Sequence, residues 1–131
     1  MAPPESKSSL LERAEEDLRV AEILRKEDDE LTTTICFHLQ QYVEKIVKAK
    51  LDELGISYPL RHNLITLLNL FEGRNLASEL FDEASALTDY ATSARYDSAT
   101  PTVEQMEKAF EQAKRIVDAI EPDLATSPKN K

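Results

Sequence analysis

Phe37-His38-Leu39-Gln40-Gln41-Tyr42-Val43-Glu44-Lys45-Ile46-Val47-Lys48-Ala49 reads as the middle of a long amphipathic helix. Ile35, Cys36, Leu39, Val43, Ile46 and, further on, Leu54 gather on one side of it at 100° per residue. His38, Gln41, Lys45 and Lys48 fall in a narrow sector opposite. Gly55 supplies the expected C-terminal stop.

Working outward, the same periodicity predicts four more helices. Leu11, Ala14, Leu18 and Ala21 recur at helical spacing over Leu10 to about Lys26, with Ser9 and Glu12 at the spacing of a capping box. Residues Glu27 to Glu30 form a solvated acidic turn before the central helix. After a connection containing Pro59, Leu64, Leu67, Leu68 and Phe71 mark a third helix of about two turns. Leu76, Leu80, Ala84, Leu87 and Ala91 continue as a fourth, broken over Ser93 to Thr100. Pro101 suits a helix start, Thr102 and Gln105 repeat the capping-box spacing, and Val103, Met106, Phe110, Ala113, Val117 and Ile120 carry the stripe of a fifth helix that Pro122 ends.

The composition agrees. The 131 residues hold 41% hydrophobic and 31% charged side chains, a mixture that folds around one core. Two glycines leave little material for hairpins. The expected class is all-α, an up-and-down bundle of about five helices spanning 9–121, with a disordered segment at 1–8 and a flexible tail at 122–131.

Charge and cysteine usage narrow the function. A formal net charge of −9 argues against non-specific coating of duplex nucleic acid, which relies on many Lys or Arg contacts to phosphate. No apolar run approaches the roughly 20 residues that cross a bilayer, and the N-terminus lacks the pattern of a signal peptide. A cytoplasmic location is the expectation. Cys36, the single cysteine, reads as a small core residue. One cysteine and two histidines cannot build the usual zinc sites, and no Gly-rich phosphate loop is present. The carboxylates fall mostly on outer faces and receive no catalytic role, so no cofactor or metal is implied.

Three places could carry chemistry. An imidazole, an amide and two ammonium groups on the His38, Gln41, Lys45 and Lys48 stripe could hold a phosphate or a nucleobase if another helix or subunit closed over them. The same residues equally describe a solvated face. Arg61-His62-Asn63 precedes the third helix, where a cap or loop role competes with ligand binding. Arg95-Tyr96 offers a guanidinium beside a phenol at a helix end, either to bind phosphate or base or to satisfy helix carbonyls.

The central stretch is similar to the second-helix segment of HEPN domains, in which a Gln-Gln pair leads into Glu-Lys and then Lys-Ala. Arg61-His62-Asn63-Leu64 resembles the family's Thr-His-Asp-Leu element, and Ala94-Arg95-Tyr96 its Ala-Arg-Tyr-Pro element, with Asp97 in place of the usual Pro. The resemblance spans roughly Leu10 to Ile120. It implies a homodimer with a cleft at its two-fold axis, and a minimal nucleotidyltransferase as partner in a toxin–antitoxin pair. Many members are metal-independent ribonucleases with an Arg, four to six residues, then His motif. That motif is absent here: after Arg95 the histidine would fall at Thr100, Pro101 or Thr102, and no arginine stands at the required distance before His38 or His62. The expectation is therefore a non-catalytic module binding a nucleotide or a protein partner. Alternatives are a ribonuclease toxin with an atypical site and a purely structural subunit.

Overall fold

The computed structural model describes residues 7–59, 63–96 and 100–125, with the side chains at 7–8, 91–96 and 121–125 left aside. Every regular element among them is helical: α1 (Lys7–Glu27), α2 (Thr32–Glu53), α3 (Leu64–Leu68), α4 (Leu76–Glu79), α5 (Phe81–Tyr96) and α6 (Val103–Ala125). No helix among the described residues is long and apolar enough to cross a membrane.

The central helix is central in space as well. α2 packs against α1, α5, α6 and α3, and Ile35, Leu39, Val43 and Leu51 are fully buried on it. Each such side chain contributes about 1.5–3 kcal/mol on leaving water. Leu54 departs from the expected face: it is the C-cap residue and half exposed at 50%. The reversal begins one residue later, at Gly55 with φ 74°. The Ile56 amide donates to the Leu51 carbonyl at 2.9 Å and that of Gly55 to Asp52 at 3.0 Å, the bond pair of a Schellman stop.

At the other end of the chain the expected capping box closes α6. The Gln105 amide donates to Thr102 Oγ1 at 3.0 Å and the Thr102 amide to Gln105 Oε1 at 2.9 Å. Just before it, the buried Thr32 hydroxyl donates to the Pro101 carbonyl at 2.7 Å, tying the start of α2 to the approach of α6. The buried stripe of α6 is Met106, Ala109, Ala113, Ile116, Val117 and Ile120, while Val103 is 41% exposed and Phe110 only partly covered. Pro122 does not end this helix, which runs three residues further. Proline removes one amide donor, the partner of the Asp118 carbonyl, and only the last turn bears that loss.

Other boundaries also moved. α1 already includes Lys7, so Ser9 lies inside the helix rather than at its cap. Residues 126–131 of the expected tail and 1–6 of the expected N-terminal segment lie outside the described residues. α3 has five residues, capped by Asn63 Oδ1 accepting from the Thr66 amide at 2.9 Å. Phe71 stays buried beyond its end, in the turn that Gly73 closes with φ 76°. The expected fourth helix is two, parted at Leu80 (φ −112°, ψ 22°), and its second half reaches Tyr96 across the expected break. Leu76, Leu80, Ala84 and Leu87 are nonetheless all buried. The result is an all-α bundle with six helical segments among the described residues where five were expected.

Candidate functional site

The polar stripe of α2 is half-covered by α1, and an acid on α1 organises it. Ala14 and Ala21, both fully buried, stand three residues before and four after Asp17. That spacing puts Asp17 on the flank of α1 that meets α2, where the small alanines let the helices approach. Asp17 Oδ1 lies 2.8 Å from His38 Nδ1, and Lys45 Nζ donates to Oδ2 of the same carboxylate. His38 and Lys45 are seven residues apart, two turns, so both reach the carboxylate from one face. Asp17 is only 13% exposed, against 28% for His38 and 24% for Lys45.

The other half of the stripe is held within α2. Lys48 Nζ pairs with Glu44 Oε2 at 2.9 Å, one turn back, and sits 5.7 Å from the centre of the Tyr58 ring. Gln41 Nε2 donates to Gln40 Oε1 at 2.8 Å, and Gln40 Nε2 to Glu44 Oε1 at 3.0 Å. Gln40 is itself buried. The four residues singled out thus form two clusters, one on Asp17 and one on Glu44, with their cations already paired.

This arrangement defines what the stripe can do. With Asp17 at Nδ1, the proton of neutral His38 is drawn to that nitrogen and the Nε2 lone pair is left as the acceptor. A carboxylate–imidazole pair is the frame of a general base. Lys45 and Lys48 could hold a phosphate only by releasing or sharing Asp17 and Glu44. Cys36 is no nucleophile here, since burial pushes its thiol up to about 12. Among the described residues no group of three His, Cys, Asp or Glu is placed to hold a metal ion.

Of the remaining candidates, Arg61 and His62 lie outside the described residues. Arg95 and Tyr96 belong to the last turn of α5 rather than to a loop. The residue that caps α3 is Asn63. Sequence reasoning missed Asp17, Glu44 and Tyr58. The signal for Asp17 was its place between Ala14 and Ala21 on a face otherwise apolar.

A cavity of about 440 Å³ lies elsewhere, between α1, α2 and α6. None of the stripe residues lines it, and four of its lining residues are carboxylates: Glu22, Glu107, Glu111 and Asp118.

Compared with known proteins, residues 8–122 match the family model of the HEPN domain. No curated protein and no solved structure gives a match.

Proposed function

The chain belongs to the HEPN domain family, and from that premise we propose that it is a non-catalytic binding module, a homodimer that works with a minimal nucleotidyltransferase in a toxin–antitoxin-type pair. The observation that carries this reading is the commitment of the stripe. Lys45 is spent on Asp17, which ties α2 to α1, and Lys48 on Glu44 one turn back in α2, so these cations are engaged within the fold rather than open to a reacting phosphate. The missing Arg and His spacing points the same way, because without its histidine the general base or acid that would act on a ribose 2′-hydroxyl is missing from its expected place.

Nucleotide recognition belongs to the same proposal. It falls chiefly to Arg61, His62, Arg95 and Tyr96, with His38 as a secondary acceptor and Gln41 as a secondary polar contact, since guanidinium and aromatic groups bind phosphate and base without help from the paired lysines. Calorimetric titration with ATP, repeated on Arg95→Ala, tests it. Saturable heat lost in the variant supports a nucleotide module. Absence of heat at millimolar nucleotide removes that half and leaves the protein partner. Co-expression with a minimal nucleotidyltransferase from the same genome tests the other half by co-purification, and failure of both experiments refutes the proposal.

One observation favours a second reading. The Asp17–His38 pair has the form of an oriented base, which an atypical ribonuclease would need. RNA cleavage by the wild type that disappears in His38→Ala would establish that reading and overturn a non-catalytic module. Cleavage retained by a His38→Ala, His62→Ala variant would exclude both histidines.

A further inference from the structure

The cavity between α1 and α6 is a trough rather than a packing defect. Among the described residues α1 packs along α2 and makes no extensive contact with α6. What spans the gap is Arg25, which pairs with Glu107 and lies 4.2 Å from the centre of the Phe110 ring. The floor is Leu39 and Tyr42 of α2, and Leu18 of α1 faces Val117 and Phe110 of α6 across it.

The charges of the trough are unbalanced in a definite way. Arg25 is taken by Glu107, and Lys114 pairs with Asp118 at 3.0 Å. Glu22 on the α1 wall and Glu111 on the α6 wall have no hydrogen-bond or ion-pair partner among the described residues. An occupant therefore meets an apolar floor with an unpaired carboxylate on each side. Phosphate-bearing ligands are repelled by that pair, whereas cations with an apolar body are favoured.

The shape narrows the class further. The α6 wall from Glu107 to Asp118 rises ~16 Å, three helical turns. About 440 Å³ holds several side chains but not a helix backbone. A helix lying along the opening would insert one apolar face and keep its flanking cations at the walls.

We propose that this trough is a docking site for an amphipathic helix of a partner protein, one whose apolar face is flanked by lysine or arginine. The proposal deepens the partner-binding reading above and rests on it. The probe is a fluorescein-labelled peptide of roughly 18 residues, five helical turns, with leucines on one face and lysines at its margins. A scrambled peptide of the same composition serves as comparison, and binding is read by fluorescence anisotropy on the full chain. The amphipathic peptide binds the wild type saturably, at least tenfold more tightly than the scrambled one. Affinity falls at least tenfold in Glu22→Lys/Glu111→Lys, which alters two exposed unpaired residues and leaves helicity unchanged. The exposed control Asp89→Lys on α5 binds as the wild type does.

Equal affinity for both peptides, or for the double variant, overturns the proposal, as does absence of saturation. Loss of self-association in the double variant would make the occupant a second copy and also overturn it. If a co-purifying nucleotidyltransferase is held as firmly by the double variant, the trough fails and the partner-binding reading stands. Peptide binding without any co-purifying nucleotidyltransferase reverses that outcome.

Discussion

Asp17→Ala should be the most informative single change in the stripe. It removes the acceptor shared by His38 Nδ1 and Lys45 Nζ and leaves both partly covered without it. Hydrogen bonds to charged groups contribute about 1.5–3 kcal/mol each, but both donors are about a quarter exposed, so water replaces part of what is lost. The net cost is about 2 kcal/mol for the pair. For a domain of this size that lowers Tm by roughly 6–10 °C. Thermal melts by far-UV circular dichroism read the shift, and Asp17→Asn separates loss of charge from loss of packing. A double-mutant cycle with Lys45→Ala should give a coupling of about 1 kcal/mol, because Lys45→Ala alone leaves His38 on the carboxylate. A Tm change below about 2 °C with no coupling would refute the reasoning. The stripe would then not be helix-to-helix cement, and its lysines would be available to a ligand.

Alkaline pH should weaken the fold through Cys36. Burial raises its folded pKa from 9.0 to about 12, so the folded state keeps a proton that the unfolded chain gives up. This contribution is fully present below pH 9 and falls by about 1.4 kcal/mol per pH unit above it, until the folded thiol itself titrates. Tyr90, raised first by burial and then by Cys36 and Asp89, acts with the same sign at higher pH. Urea unfolding of wild type and Cys36→Ala between pH 8 and 11 should show the shallower decline in the variant, and parallel curves would disprove the assignment. Thr102→Ala should cost about 1 kcal/mol by opening the capping box of α6. An unchanged urea midpoint in that variant would mean the box forms without contributing.

The bundle was legible where one helix carries its own evidence. Central helix α2 shows contrasting faces over Ile35 to Ile46, and the Thr102–Gln105 spacing marks the start of α6 within four residues. The break at Leu80 was not legible, because Leu76, Leu80, Ala84 and Leu87 keep helical spacing straight through it and periodicity cannot see one residue leave the helical region. Pro122 misled for the opposite reason: a local rule yields when only the final turn depends on it. The stripe of His38, Gln41, Lys45 and Lys48 could be grouped by angle, but its state depends on Asp17. That partner is fixed by the register of α1 on α2, which no single-helix pattern contains. The trough lay further out of reach, since it exists only through the spacing of α1 from α6.

The placement of α1 also bears on how the chain comes to be folded. Among the described residues its extensive packing is with α2, its neighbour across the short turn at residues 28–31, and both ion pairs of its Asp17 are made with that neighbour. Contacts between adjacent segments close small loops and form early. During synthesis the α1–α2 hairpin can therefore assemble while the later helices are still being made, holding open on α2 the apolar strip that α5 and α6 afterwards cover.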